Sequence, residues 1–319
     1  MPDKHSLWRS TPPGIFPICL ALLGLGLAWQ GASVVLPVWR GFGDVLTALA
    51  AIIYLFFLAN YLRKLAVRPR VLFEDAKVPP ARAGVSTIAM AMLLLATVLL
   101  PFGQIALVIW WVGMLAQLGA SGIGAWSIWR DPPQLRQFST FQYLTFVGPT
   151  VGITTGVAMG YTAFSMVLTL ASLVAYFVIT AGLIRQLLRN RPPVPLRPSM
   201  TIFLAPVCLF TISFAMLGVD WAFEVFFWLS LGIAGGLTAL VPWMIKGGWS
   251  PIWSSFTFPL ATFAQVLVLA QTRIGGDMVA GLLIACLVIA TLVILVIAMR
   301  VLRMWASGDL AVKSGAAVA

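Results

Sequence analysis

The residues that could perform catalysis or bind a metal are few and scattered along the chain. His5, the only histidine, precedes the first apolar run, and Cys19, Cys208 and Cys286 each fall inside such a run. These residues do not have the spacing of a metal site, and they cannot form a nucleophile–histidine–carboxylate arrangement. The sequence also contains no glycine loop of the nucleotide-binding type. We therefore expect no metal, no cofactor and no enzymatic activity.

Carboxylates that could carry a coupling proton are nearly missing from the apolar part of the chain. Asp44 and Asp220 lie at the ends of apolar runs, and Glu224 lies about one helical turn inside another. An ionisable residue within a membrane commonly marks an ion or proton pathway. We expect Glu224 to be an interfacial carboxylate, with a functional or intersubunit hydrogen bond as the alternative. The scarcity of such groups argues against a proton-driven pump.

The elements that must position any functional residue are membrane-spanning helices. Of the 319 residues, 61% are hydrophobic and 9% are charged, and the mean hydropathy is +1.01. A helix needs roughly 20 apolar residues to cross a bilayer. The predicted spans are 14–33, 43–62, 85–103, 105–129, 141–161, 164–188, 201–219, 221–245, 252–272 and 278–303. The prediction is an all-α integral membrane protein in which residues 14–303 form one ten-span domain, between an N-terminal tail (1–13) and a C-terminal tail (304–319).

The net charge of +11 is explained by membrane topology rather than by nucleic-acid binding. When the N-terminus is placed inside, every Lys and Arg except Arg40 and Arg273 falls in a cytoplasmic segment. Cytoplasmic loops of membrane proteins carry such an excess of basic residues. This distribution predicts that both termini are cytoplasmic, that the chain contacts a lipid bilayer, and that it binds no nucleic acid.

Prolines recur on alternate predicted spans. They lie in the cytoplasmic halves of the first, fifth, seventh and ninth spans, at Pro17, Pro149, Pro206 and Pro259. Proline inside a membrane helix is tolerated where neighbouring groups or water satisfy the freed carbonyls. The alternation favours kinked odd-numbered helices around a central path, although proline is also common in membrane helices generally.

Glycines recur every four residues in the fifth predicted span. The series is Gly148, Gly152, Gly156 and Gly160, and threonines stand beside it. A stripe of this kind lets a neighbouring backbone approach closely. The alternative is that the missing side chains leave a lumen open.

Three segments carry a resemblance to a known family. They are "GIFPICLALLGLGLAW" at 14–29, "RPSMTIFLAPVCLF" at 197–210 and "WSSFTFPLA" at 253–261. In these segments, their order and its ten spans, the chain resembles the tellurite-resistance/dicarboxylate transporter family, which includes TehA-like proteins and the slow-type anion channels. It departs from the family pattern where Val207 follows Pro206, and in the third span, which has no mid-span proline.

The resemblance implies a fold and a gate. The fold is five helical hairpins around a quasi-fivefold central pore, with the odd helices inside, and the assembly is a homotrimer with one pore per subunit. Phe258 would be the pore gate, with Pro259 kinking its helix so that the ring lies across the path, while Phe256 and Phe263 pack elsewhere. Candidate pore-lining residues are Ser86, Thr87, Gly152, Thr154, Gly156, Thr211 and Thr262.

The expected function is an anion channel or carrier in the bacterial cytoplasmic (inner) membrane, passing small inorganic anions or C4-dicarboxylates. Two other classes stay open. A ten-span drug/metabolite exporter would contain inverted five-span repeats, and the proline pattern follows hairpins instead. A membrane-embedded assembly or sensor subunit would use the basic loop 63–84 to dock a partner or anionic lipid, although such a loop also serves simply to set topology.

Overall fold

The computed structural model describes residues 4–130, 137–314 and 317–318. Arg136, one of the basic residues counted as cytoplasmic, therefore lies outside the described residues, as do 1–3, 315–316 and 319 of the predicted tails. All regular secondary structure in the described residues is helical. The α-helices are α1 (Phe16–Val35), α2 (Arg40–Val67), α3 (Val71–Asp75), α4 (Pro79–Val98), α5 (Gln104–Arg130), α6 (Phe141–Phe146), α7 (Ile153–Ala158), α8 (Thr162–Arg189), α9 (Leu204–Met216), α10 (Asp220–Met244), α11 (Thr257–Arg273), α12 (Asp277–Ala306) and α13 (Asp309–Ser314). The 3-10 helices are Lys4–Ser10, Pro13–Ile15, Leu100–Phe102, Gly148–Gly152, Val194–Phe203, Ile245–Gly247 and Pro251–Phe256.

Nine helices in the described residues are long and apolar enough to cross a membrane, and they fall into two groups by burial. In α1, α4, α9 and α11, with the 3-10 helices that precede three of them, 61–78% of the most apolar window is buried. In α2, α5, α8, α10 and α12, only 17–33% of that window is buried. Long helices that are apolar on their exposed side face lipid or another apolar partner. The chain is therefore an all-α, multi-pass membrane protein.

The fifth predicted span, 141–161, is not one continuous helix. It consists of α6, the 3-10 helix Gly148–Gly152 and α7. Pro149 has no backbone N–H and therefore leaves the Thr145 carbonyl without its helical donor. That carbonyl accepts hydrogen bonds from Gln117 Nε2 (3.1 Å) and Ser121 Oγ (2.6 Å) on α5. Pro149 therefore interrupts the helix, and the break is tolerated because α5 supplies hydrogen bonds to the freed carbonyl.

The buried elements contact one another in a closed order. Helix α1 packs against α4, α4 against α6 and the 3-10 helix Gly148–Gly152, α7 against α9, α9 against α11, and α11 against α1. Each exposed long helix packs against the buried element that precedes it in the chain: α2 on α1, α5 on α4, α8 on the α6–α7 segment, α10 on α9 and α12 on α11. The result is a series of consecutive hairpins whose first members are buried.

Both ends of the chain lie at the same end of the helical bundle. Trp305 Nε1 donates to Thr11 Oγ1 (3.3 Å), and Lys64 Nζ donates to the Thr11 carbonyl (3.0 Å). Lys64 also pairs with Asp75 at 3.5 Å, and both side chains are fully buried. The segments predicted as tails are thus partly folded, since they contain the 3-10 helix Lys4–Ser10 and α13.

Candidate functional site

Two cavities are lined by residues of the buried elements. The first, here the proximal cavity, measures about 400 Å³ at the end that holds the chain termini. Each inner element contributes to its lining, as shown by Pro17, Thr87, Leu144, Ala205 and Phe258. The second, the distal cavity, measures about 250 Å³ and lies toward the other end. The same five elements line it, through Ala28, Thr97, Thr154, Ile212 and Thr262.

Phe258 lies at the boundary between these cavities. It is the second residue of α11 and is 3% exposed. Of the described lining residues, it alone belongs to both cavities. Phe256 instead packs with Trp253, with ring centroids 5.8 Å apart, and neither Phe256 nor Phe263 lines either cavity. The Phe258 ring therefore stands between two spaces that are lined by the same elements.

The four singled-out prolines share a local setting. Pro17, Pro206 and Pro259 lie in the first turns of α1, α9 and α11, each directly after a 3-10 helix, and Pro149 lies within the 3-10 helix before α7. The first four amides of an α-helix have no intrahelical partner, so proline costs little there. These prolines therefore mark junctions between 3-10 and α-helix rather than kinks in the middle of a long helix. Pro17 and Pro259 line the proximal cavity.

The candidate lining hydroxyls divide between the cavities and the packing around them. Thr87 lines the proximal cavity, and Thr154 and Thr262 line the distal one. Ser86 lines neither, and its hydroxyl donates to Thr145 Oγ1 at 3.2 Å. Thr211 lines neither, and its hydroxyl donates to the Val207 carbonyl at 2.9 Å within α9.

The two glycines predicted to line a lumen face α5 instead. A methyl group added at Gly152 would lie 2.8 Å from Met114 Cε and 3.0 Å from Trp110 Nε1. One added at Gly156 would lie 2.9 Å from the Trp110 ring and 2.6 Å from Ser165 Oγ. Trp110 Nε1 also donates to the Gly152 carbonyl at 2.8 Å. These glycines therefore allow close packing, which is the first of the two roles considered for the stripe.

Hydrogen-bond donors that remain available are found in the distal cavity. The hydroxyls of Thr150 and Thr262 donate to backbone carbonyls of their own helices, at 2.6 and 3.1 Å. The Thr154 hydroxyl has no hydrogen-bond partner among the described residues. Gln265 Nε2 donates one hydrogen to the Gly24 carbonyl at 2.8 Å, which leaves its second N–H. Thr154 and Gln265 can therefore donate to a ligand without breaking an existing bond.

Fixed charge is sparse along both cavities. Among the described lining residues, Lys313 is the charged group of the proximal cavity, and the distal cavity has none. Glu224, considered above as a functional carboxylate, is exposed on α10 and lines neither cavity. Arg40 and Arg273, the two cations expected on the outer side, are each paired with an aspartate.

Several positioning residues were missed by the sequence analysis. Trp110, Gln117 and Ser121 on α5 satisfy carbonyls of the broken segment, and Gln265 joins α11 to α1. Their only signal in the sequence is a polar or amphipathic side chain inside an apolar run. That signal does not identify the carbonyl with which each one bonds.

Comparisons with known proteins identify the family of this chain. The model of the SLAC1 family, described as voltage-dependent anion channel, matches residues 10–302. The chain is 25% identical over 265 residues to the Tellurite resistance protein TehA homolog of Haemophilus influenzae, covering 80% of this chain and 79% of that protein. The predicted family resemblance is therefore confirmed, and the family is one of anion channels and transporters rather than enzymes. The chain belongs to the SLAC1 family of voltage-dependent anion channels.

Proposed function

We propose that the protein is a membrane channel for small, singly charged anions, gated by the Phe258 ring. The observation that carries this proposal is that Phe258 lines both the proximal and the distal cavity. Because the same five elements surround both cavities, a single path through the ring of helices connects them at this side chain. An aromatic ring on such a path is a steric and dewetting barrier.

The pore in this proposal is a quasi-fivefold ring of hairpins with α1, α4, the α6–α7 segment, α9 and α11 inside. Support comes from the closed order of contacts and from the greater burial of these elements. The α6–α7 segment then makes the tenth crossing. Nine crossings would put the termini on opposite sides of the membrane, whereas Trp305 and Thr11 are hydrogen-bonded.

The chemistry of the linings favours singly charged anions. Neutral donors such as Thr154 and Gln265 can replace part of an anion's hydration shell, and no fixed carboxylate repels it among the described lining residues. Transfer of an ion into a low-dielectric region is costly unless opposite charge compensates it. The cost is greater for a doubly charged ion, so we rank inorganic monoanions before C4-dicarboxylates.

The proposed setting is the bacterial cytoplasmic membrane, with both termini inside. It is supported by the excess of Lys and Arg on the termini side of the spans. We also propose a homotrimer with one pore per subunit, on the basis of the family resemblance. The mass of the purified protein in detergent tests this, and a stable monomer would contradict it.

Ion flux in liposomes that contain only this protein tests the function. We expect anion-selective conductance that rises by orders of magnitude in Phe258→Ala, because truncation removes the barrier. The anion preference should persist, since the ring supplies no selective contact. Phe263→Ala is the matched control, because Phe263 is a buried ring on the same helix outside both cavity linings.

Several outcomes of that experiment would count against the proposal. Cation selectivity, or no anion flux from either the wild-type protein or Phe258→Ala, would contradict an anion pore. A larger effect of Phe263→Ala than of Phe258→Ala would mean that the gate is misassigned. Succinate flux comparable to chloride flux would rank C4-dicarboxylates with inorganic monoanions as substrates.

An alternating-access exporter would instead show saturable flux that depends on a counter-ion. The closed order of contacts does not divide the spans into two five-span halves, so it does not support an exporter.

A further inference from the structure

The C-terminal helix α13 forms part of the wall of the proximal cavity. Leu310 anchors the helix with 1% exposure, and Leu310, Lys313 and Ser314 all line the cavity. The helix packs against the 3-10 helix Pro251–Phe256, which leads into α11. A segment predicted as a tail therefore lies at the entrance of the cavity.

Residues beyond α13 are attached to the bundle at two points. The Ala317 amide donates to Asp75 Oδ1 at 3.0 Å, and Arg68 Nη1 donates to the Val318 carbonyl at 2.5 Å. Asp75 is itself fixed, since Lys64 and Tyr61 both donate to its other carboxylate oxygen. Helix α13 is therefore held at both ends. Helix α12 precedes it directly in the chain, and these two bonds fix residues that follow it.

Lys313 presents a cation at this entrance. Its side chain is exposed, and it has no ion-pair partner in the described part of the chain. Asp309, four residues earlier on the same helix, makes no ion-pair contact with Lys313 and accepts a hydrogen bond from Ser307 Oγ at 2.9 Å. A Lys ammonium that lines a cavity with three free donors is a site for an anion.

We propose that Lys313 is an entrance binding site for small anions, held over the proximal cavity by the folded C-terminal segment. This inference rests on the proposed anion permeation and adds to it the first residue that a permeating anion meets from the termini side. The site raises the local anion concentration at the mouth, so it governs the rate of entry and leaves the choice among anions to the inner lining.

The test is Lys313→Gln, measured in the full chain in the Phe258→Ala background, in which ring occlusion no longer limits flux. At about 10 mM salt, where screening acts over roughly 30 Å, we expect chloride conductance from the termini side to fall roughly threefold. At about 1 M salt, where screening acts over roughly 3 Å, the difference should vanish. Lys246→Gln is the matched control, because Lys246 is exposed in the 3-10 helix Ile245–Gly247 and lines neither cavity.

Chloride binding to the purified full chain, followed by chloride NMR line broadening, gives a readout that does not depend on flux. We expect less broadening for Lys313→Gln and for Lys313→Glu than for Lys246→Gln. A loss of conductance that is equal at both salt concentrations, or no loss at low salt, would overturn the binding site while leaving the channel intact. Absence of anion flux in the Phe258→Ala background would overturn the proposed function itself.

Discussion

The hydroxyl oxygen of Thr201 lies 2.8 Å from the carbonyl oxygen of Ser255, which Pro259 leaves without a helical donor, and 2.7 Å from the carbonyl oxygen of Pro198, so its one proton is shared between the two carbonyls. Thr201 belongs to the 3-10 helix that leads into α9, so the bond ties the entry of α9 to the entry of α11. Phe258 follows Ser255 by three residues. The hydrogen bond therefore holds the turn that carries the proposed gate.

Replacing Thr201 by valine keeps the side-chain shape and removes this donor. We expect Thr201→Val to lower stability by about 1 kcal/mol, the usual net contribution of such a bond, and to raise basal anion flux by loosening the Phe258 turn. Thermal unfolding in detergent and flux in liposomes measure the two effects. Thr211→Val is the control, because the buried Thr211 hydroxyl bonds within its own helix. Equal flux from the two variants would show that Thr201 does not position the gate.

Gly152→Ala separates packing from pore lining. The added methyl group would press against Met114 and Trp110, so we expect a stability loss of about 1–3 kcal/mol without a reduction in conductance per folded channel. Gly232→Ala on α10 is the control, since a methyl group there meets no atom within 4 Å. A normally stable Gly152→Ala protein with reduced conductance would instead put Gly152 on the permeation path.

Asp75→Asn removes the charge that compensates the buried Lys64 ammonium. An uncompensated buried charge commonly costs about 3–5 kcal/mol, so we expect a large fall in the unfolding temperature. Replacing both residues together by apolar side chains should recover much of the loss, because the unpaired charge then disappears. Asp44→Asn provides the comparison, since its pair with Arg40 is mostly exposed. If Asp75→Asn and Asp44→Asn melt alike, the buried pair is not a stabilising centre.

Thr154→Val tests the free donor of the distal cavity. We expect anion conductance to fall while the structure stays intact, because the variant removes a hydroxyl that bonds no described residue. Thr150→Val is the matched control, since the Thr150 hydroxyl already donates to the Val147 carbonyl at 2.6 Å. Conductance and its nitrate-to-chloride ratio are measured for both variants. Identical behaviour would remove Thr154 from the permeation path.

Hydropathy and the quoted motifs were sufficient to predict a helical membrane protein and its family. They did not reveal the break at Gly148–Gly152, because an apolar run has the same hydropathy whether it forms one helix or three pieces. The break depends on Gln117 and Ser121, which lie on a different helix and accommodate Pro149 through Thr145. Such compensation is tertiary and leaves no local pattern.

The candidate site could be predicted only in part from the sequence. The motif around Phe258 identified a residue that the structure places against both cavities, although its role as a gate stays a prediction. The direction of Gly152 and Gly156 could not be predicted, because glycine has no side chain whose polarity indicates a face. Helix α13 was missed because six residues in a polar tail give no periodic signal, and its place is set by contacts such as that of Leu310.

The junctions between 3-10 and α-helix at α1, α7, α9 and α11 have a mechanical consequence. A 3-10 helix advances 120° and about 2.0 Å per residue, whereas an α-helix advances about 100° and 1.5 Å. Moving a junction by one residue therefore turns the helix beyond it by about 20° and shifts it by about 0.5 Å. Each amide then exchanges one carbonyl partner for the next instead of losing its partner. Phe258 is the second residue after such a junction, so a one-residue shift of the junction would rotate and translate its ring by these amounts.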